Sequence, residues 1–324
     1  MAAGAETDEP IKLPRIAAVD VARGVALIGM VAYHLTWDLA HFGLVAPSLP
    51  FEPATRILSH TVASAFLALV GVSLALAHPR GLNAPAFWRR LAIVAGAAAL
   101  VTAASYVIDP AEPILFGILH CIAVASLIGA LFVAAPFWAP LLIGAMAVVE
   151  PLVFSNEVFN TPALLWLGLG TVSPATLDWR PLLPWGGAVL IGLGLARAAL
   201  PRLAQWRLSA WRPAGAPGGA LVFAGRHSLA IYLIHQPILF GFLSLVVATG
   251  VFAERQARET YLAACPAACA AHGGDAQICA KACVCVVKRA GAAGLSLDAA
   301  ERAKDSDTRQ QLRDIVETCS LEAR

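Results

Sequence analysis

Long apolar segments recur along most of the chain. A helix needs about 20 mostly apolar residues to cross a bilayer, with a range of about 17–25. Segment 163–172 is too short to span alone and is interpreted as re-entrant or interfacial, which leaves an eighth span open. The pattern predicts an all-α polytopic transmembrane helix bundle with seven spans, at roughly 16–36, 57–77, 91–108, 114–134, 139–154, 184–200 and 228–250.

The charge distribution divides this chain of 324 residues, which is 14% charged against about 25% in soluble domains. Residues 16–250 contain 11 Arg, 8 acidic residues and no Lys, whereas residues 251–324 contain 10 Lys and Arg and 10 acidic residues. We therefore expect a cytoplasmic segment 1–15, a membrane domain 16–250 and a polar tail 251–324. No basic cluster indicates a nucleic-acid partner, so the expected partner is the lipid bilayer.

The arginines predict the orientation of the spans, because Lys and Arg accumulate in short cytoplasmic loops. With the N-terminus inside, the outer loops contain only Arg56 and Arg180. The inner segments then contain Lys12, Arg15, Arg80, Arg89, Arg90, Arg197, Arg202, Arg207, Arg212 and Arg226. An odd number of spans places the tail outside, so the chain is predicted to be a multi-pass protein of a bacterial inner membrane.

The first predicted span contains a line of polar residues. On a helical wheel, one face within roughly 80° holds Asp20, Arg23, Leu27, Met30, His34 and Asp38. A charge at the centre of a span costs about 2.5–3.5 kcal/mol on insertion scales, so these residues are expected to face the bundle interior and to find partners. Asp20 and Arg23 are spaced to pair at i, i+3, and His34 and Asp38 at i, i+4. The alternatives are pairing of Asp20 and Arg23 at the cytoplasmic end and an interfacial hydrogen bond between His34 and Asp38.

Two other spans contain candidate residues. His120 is expected about 6 residues below the outer end of the fourth span, at a depth similar to that of His34. The two histidines could form a proton relay or bind a hydroxyl group, and the alternative is a single buried histidine that hydrogen-bonds to a backbone carbonyl or water. In "GRHSLAIYLIHQP", Arg226 lies at the cytoplasmic mouth and is a candidate for a phosphate group, since arginine binds phosphate oxygens in pairs. His235 lies beside Pro237, which can kink the helix and make room for a ligand.

Six of the seven cysteines lie in the tail, in the pattern C-x3-C-x9-C-x3-C-x-C followed by Cys319. The turn "HGGD" separates the two C-x3-C pairs, which predicts a small helical hairpin clamped by disulfides in an oxidising compartment. A metal site that includes His272 is the alternative. Residues 296–318 are expected to form an amphipathic helix.

The membrane domain resembles a known family. Arg23 and His34 show an R-x10-H spacing, which resembles that of the membrane acyltransferases that O-acetylate bacterial surface sugars. The wider pattern resembles the heparan-α-glucosaminide N-acetyltransferase catalytic domain over about residues 16–240. The similar stretches are "RIAAVDVARGVALIGMVAYHLTWDLAHFG", "FLALVGVSLAL", "ILFGILHCIA", "LLPWGGAVLIGLGLAR" and "GRHSLAIYLIHQPIL".

The resemblance implies transfer of an acetyl group from cytoplasmic acetyl-CoA to a glycan or small-molecule acceptor, with no metal expected. His34 is then the candidate general base or transient acyl carrier, oriented by Asp38, because histidine exchanges protons near neutral pH. Arg23 is expected to hold the donor's polar end or to stabilise an oxyanion. The loop after the first span, where the lysosomal enzymes place a histidine, offers only His41.

Two other functions remain open at this point. A transporter could use the polar face of the first span as a pathway for a substrate or for protons. A b-type haem protein could use His34 and His120 as iron ligands.

Overall fold

A computed structural model describes residues 15–205, 210–297 and 306–323, all of which form helices, turns and loops without a strand. Lys12, Arg207 and residues 298–305 of the predicted 296–318 helix lie outside these ranges. Eleven α-helices are described: α1 Ala17–His41, α2 Pro53–Ala77, α3 Ala84–Ile108, α4 Ile118–Leu131, α5 Trp138–Val153, α6 Leu182–Ala199, α7 Gly215–Arg226, α8 Ser228–Ala248, α9 Ala253–Ala271, α10 Ala276–Ala292 and α11 Ser306–Glu322.

Seven of these helices correspond to the seven predicted spans. Five are long and apolar enough to cross a membrane: Ala17–His41, Pro53–Ala77, Ala84–Ile108, Leu182–Arg202 and Ser228–Ala248. The fourth and fifth predicted spans are the shorter apolar helices Ile118–Leu131 and Trp138–Val153. The all-α polytopic architecture is confirmed. Segment 163–172 contains only the single 3₁₀ turn Leu165–Leu167.

Several helix ends differ from the prediction for identifiable reasons. Helix α3 begins seven residues earlier than expected, because the Asn83 side chain accepts a hydrogen bond from the Ala86 N–H at 3.3 Å and caps the helix. Helix α4 begins four residues later, at Ile118, after the N-cap Gly117. Helix α7 was not predicted, since its glycine-rich start gives little hydrophobic periodicity.

The internal contacts divide the chain into two compact units. The first contains the stretch up to Met30 together with His60–Leu233, and the second contains Val31–Ser59 and Ile234–Arg324.

Close helix crossings at glycines hold the first unit together. A side chain at Gly71 of α2 would collide with the Val189 carbonyl of α6, and one at Gly192 of α6 would collide with the Ala68 carbonyl of α2. Gly144 and Gly187 make a similar crossing between α5 and α6. Small residues allow this approach in apolar surroundings, where van der Waals packing must replace the hydrophobic effect. Gly192, the first residue of the sequence "GLGLAR", thus serves helix packing.

The tail forms a disulfide-linked helical module within the second unit. Cys265–Cys283 and Cys269–Cys279 join α9 to α10, and Cys285–Cys319 joins α10 to α11. The predicted hairpin with disulfides is confirmed. All six tail cysteines are paired, so none offers a thiolate for the alternative metal site, and His272 instead ends α9 as its C-cap.

The disulfide pattern predicts the number of reactive thiols. Cys121, the seventh cysteine, is a buried free thiol. We expect denatured, unreduced protein to take up one maleimide per chain, and reduced protein to take up seven, as measured by intact mass. Cys121→Ala should take up none before reduction. Three or more labels on the unreduced protein would contradict the pairing.

Candidate functional site

A buried carboxylate with arginine partners organises the beginning of α1. Asp20 is 2% exposed. Its Oδ1 lies 3.4 Å from Arg23 Nη1, and its Oδ2 lies 3.2 Å from Arg226 Nε and 3.7 Å from Arg15 Nε. Arg23 also donates to the Ser73 hydroxyl on α2. The i, i+3 pair predicted from the sequence is present, and Arg226, which lies 206 residues from Asp20 in sequence, joins it.

Two glycines bring Arg226 within reach of Asp20. A Cβ added to Gly225 of α7 would collide with the Asp20 backbone, and a Cβ on Gly24 of α1 would lie 2.5 Å from the Leu221 carbonyl oxygen. The backbones of α1 and α7 therefore touch at this crossing. Because α7 ends at Arg226, the arginine is delivered directly beside the carboxylate.

A basic groove lies next to this ion-pair cluster. It has a volume of about 380 Å³ and is lined by Ala17, Arg212, Pro213, Gly219, Val222, Phe223, Arg226 and His227. The volume falls within the usual range of ligand pockets, about 300–1,000 Å³. Arg226 has 45% of its side chain exposed, so its remaining donors can reach a ligand. Cationic groups above an apolar wall suit an anionic ligand that also has an apolar or aromatic part.

A second polar cluster lies in the second unit, around Asp38. This carboxylate is 3% exposed, and its Oδ1 accepts a hydrogen bond from Gln236 Nε2 at 2.6 Å. The imidazole of His34 contacts that of His235 edge to face, with ring centroids 5.0 Å apart. Three predicted site residues, His34, Asp38 and His235, therefore lie in one unit together with Gln236, which was not among the predicted site residues.

Aromatic packing and the tail support the end of α1. His41 contacts Phe240 with ring centroids 5.2 Å apart, and Phe42 contacts the same ring at 4.9 Å. Gln256 of α9 donates to the Phe42 carbonyl at 2.7 Å. The tail thus holds the loop that directly follows the helix on which His34 and Asp38 lie.

His120 has a structural environment in the first unit. Its Nδ1 accepts a hydrogen bond from the backbone N–H of Gly117, the N-cap residue of α4, at 3.2 Å. Its Nε2 lies 3.2 Å from the Thr102 hydroxyl, which itself donates to the Ile114 carbonyl at 2.7 Å. Both ring nitrogens are engaged, so the geometry favours the structural alternative for His120. The haem hypothesis, which needs an available nitrogen here, gains no support.

The loop before α6 contributes an acidic group that sequence reasoning did not select. Asp178 accepts a hydrogen bond from the Ile118 N–H at 2.8 Å and so stabilises the start of α4. Burial raises the pKa of the Asp178 carboxyl, while the nearby Arg180 and this hydrogen bond lower it. The Arg180 guanidinium in turn lies 4.9 Å from the centre of a Trp185 ring. These contacts give Asp178 and Arg180 a structural role in the loop before α6.

Two residues that were not predicted as site residues are nevertheless marked by a polar side chain in an apolar segment. Gln236 is an amide inside an apolar span, and Ser73 is a hydroxyl inside another, and polar groups in spans indicate function or pairing. The groove residue Arg212 had no comparable signal, because an arginine in an inner loop is equally well explained by the orientation rule.

The ion-pair cluster makes a stability prediction. Asp20→Asn removes the negative charge shared by Arg23 and Arg226, and breaking a buried pair costs about 3–5 kcal/mol. Arg15→Gln is the matched control, since Arg15 has 66% of its side chain exposed and exposed pairs contribute about 0–1 kcal/mol. We expect the thermal unfolding midpoint of purified protein in detergent to fall clearly for Asp20→Asn and barely for Arg15→Gln. Equal falls in the unfolding midpoint of the two variants would contradict a larger contribution of Asp20 to stability.

Comparison with known proteins identifies the family of the chain. No curated protein and no solved structure matches the chain. The family model described as "Heparan-alpha-glucosaminide N-acetyltransferase, catalytic" matches residues 15–237, about two thirds of the chain. The matched range contains the ion-pair cluster, the basic groove and the Asp38–Gln236 pair. As the resemblance had predicted, the chain belongs to the heparan-alpha-glucosaminide N-acetyltransferase catalytic family.

Proposed function

We propose that the protein is an integral membrane acyltransferase that takes an acetyl group from cytoplasmic acetyl-CoA and transfers it to a sugar or related acceptor. The observation that carries the proposal is the basic groove beside the buried Asp20 cluster, within a chain whose family is one of acetyltransferases. The described residues add no support to the transport or haem hypotheses.

The donor's nucleotide end would bind in the groove. Its phosphates carry negative charge, and Arg212, Arg226 and His227 supply donors for them. Val222 and Phe223 provide an apolar wall on which an aromatic base can pack. Asp20 holds Arg226 in place, because a guanidinium anchored through Nε keeps its terminal nitrogens in a fixed direction. Arg23, bound to Asp20 and Ser73, is assigned a supporting role in donor binding.

The acceptor's proton would be taken by His34. Attack on a thioester by a hydroxyl or amine requires that the nucleophile lose a proton, and a neutral imidazole is suited to accept it near neutral pH. His34 is held by packing against the His235 ring and contacts Tyr33 at 5.9 Å between ring centroids. As the C–S bond of the thioester breaks, the His34 imidazolium gives this proton to the leaving thiolate, so transfer to a hydroxyl neither consumes nor releases a proton overall.

The groove and the N-terminal segment would face the cytoplasm, where acetyl-CoA is found. The proposal rests on the excess of arginine in these inner segments, including Arg202 and Arg212. It assigns the disulfide-linked tail to the outer side. The same reasoning gives a bacterial inner membrane as the location.

Transfer activity tests the function directly. Purified protein in lipid nanodiscs should move label from radiolabelled acetyl-CoA to one or more members of a panel of sugar and amine acceptors. We expect His34→Ala to lower turnover by about 10²–10⁴-fold, the usual effect of removing a general base. His272→Ala, at the exposed end of α9, is the matched control and should leave turnover unchanged.

The outcome for His34 decides its role. Gel filtration must show that His34→Ala is folded. Near-normal turnover of a folded His34→Ala protein would refute its role as base. Absence of label on every acceptor and on the wild-type protein would argue against the acyltransferase itself.

Donor binding makes a separate prediction for Arg212. A charge-assisted hydrogen bond contributes about 1.5–3 kcal/mol, and an open groove should give the low end of this range. We expect Arg212→Gln to raise KM for acetyl-CoA about tenfold, the equivalent of about 1.4 kcal/mol, with kcat unchanged. Arg202→Gln, an exposed arginine that does not line the groove, is the control.

Acetyl-pantetheine distinguishes phosphate binding from a general defect, because it lacks the nucleotide. Its KM should be the same for wild type and Arg212→Gln. An equal rise with both donors, or a fall in kcat, would contradict binding of the nucleotide end by this arginine.

A further inference from the structure

The Asp38–Gln236 pair leaves two buried acceptor atoms without a donor. One hydrogen bond, from Gln236 Nε2 to Asp38 Oδ1, is 2.6 Å long. The other oxygen of the carboxylate, Oδ2, and the amide oxygen of Gln236, Oε1, are both buried and have no hydrogen-bond partner among the described residues. A buried polar atom without a hydrogen-bond partner is destabilising, and more so when it bears charge.

Both atoms lack the same thing, which is a hydrogen-bond donor. A carboxylic acid and a primary amide can pair through two parallel hydrogen bonds, in which the amide N–H donates to the acid carbonyl and the acid O–H donates to the amide carbonyl. The first of these bonds is already present between Gln236 and Asp38. A proton on Oδ2 would supply the second, and it would satisfy both unpartnered oxygens at once.

Both orientations of the Gln236 amide require a proton at its contact with Asp38. Amide nitrogen and oxygen are distinguished only by their hydrogen-bond partners. If the amide were reversed, its oxygen would be the atom 2.6 Å from Asp38 Oδ1. Two acceptor oxygens at that distance also require a proton between them, and Asp38 is the group that can carry it.

We propose that Asp38 is a neutral carboxylic acid at neutral pH and shares its proton with Gln236. The other titratable groups on this part of the second unit are three histidines. They are His34 and His235, whose rings contact each other, and His41 at the end of α1. No arginine or lysine among the described residues forms an ion pair with Asp38, in contrast to Asp20.

One consequence rests on the proposed function. An ionised Asp38 would stabilise the imidazolium form of a nearby histidine, and a protonated histidine cannot act as a base. A neutral Asp38 removes that charge and leaves His34 in the neutral form required for proton abstraction. Asp38 and Gln236 are thus positioning residues that set the protonation state of the site. This replaces the expectation that Asp38 orients His34 as a carboxylate.

Infrared difference spectroscopy tests the proton without measuring activity. A carboxylic acid has a C=O stretching band well separated from the carboxylate bands, and the acid band moves to lower frequency in D₂O. We expect the spectrum of the full-length wild-type chain minus that of Asp38→Asn, in nanodiscs at neutral pH, to show this acid band. Asp20→Asn is the matched control, a buried aspartate of the same helix with arginine partners, and should remove carboxylate bands only. Carboxylate bands in the Asp38 difference spectrum would overturn the proposal.

The partner of the proton is tested with Asp38 intact. Gln236→Leu removes the amide, so the acid C=O loses its hydrogen bond and its band should move to higher frequency or give way to carboxylate bands. An unchanged acid band in Gln236→Leu would show that the proton is not shared with Gln236. A protein that shows the expected bands but transfers no acyl group would refute the proposed function and leave this inference standing.

Discussion

The buried carboxylate of Asp20, in a candidate membrane span, sets the strictest condition on this fold. Asp20 is almost fully buried in the first candidate span, where an uncompensated carboxylate is costly to insert. Arg23 lies one turn away, but a single neighbour leaves oxygen lone pairs unsatisfied. The second close partner, Arg226, arrives from a distant part of the sequence. The position of α7 against the start of α1 is therefore constrained by an ion pair and not by apolar contact alone.

Glycine makes that constraint geometrically possible, and the same device recurs in the first unit. Gly24 and Gly225 let the backbones of α1 and α7 touch, and Gly71 and Gly192 do so for α2 and α6. Lipid chains are as apolar as leucine, so spans gain little by hiding leucine from lipid and gain more from close backbone packing. Charge pairing and glycine crossings are linked, because a bulkier residue at Gly225 would push Arg226 away from Asp20.

The sequence predicted local features well and distant ones poorly. Apolar length located seven helices, and the helical wheel placed Asp20, Leu27, Met30 and Asp38 on a face that the structure buries. The i, i+3 pair followed from spacing alone. Arg226 as the partner of Asp20 and Gln236 as the partner of Asp38 did not, because nothing in one sequence relates residues about 200 positions apart. The same limit applies to the disulfides, since six cysteines allow 15 connectivities and spacing does not select one.

Helix α1 contains two buried aspartates that are accommodated by different chemistry. Asp20 forms ion pairs with the guanidinium groups of Arg23 and Arg226, and Arg226 retains donors for an anionic ligand. Asp38 has an amide partner, which offers no charge and pairs best with a neutral acid. Two like groups placed in unlike environments can carry unlike tasks, as catalytic carboxylates often do. In the proposed enzyme, charge is retained where a phosphate-bearing donor must be held and removed where a histidine must stay neutral. Under the proposed function, the choice between arginine and glutamine as the partner of a buried aspartate would separate donor binding from proton transfer.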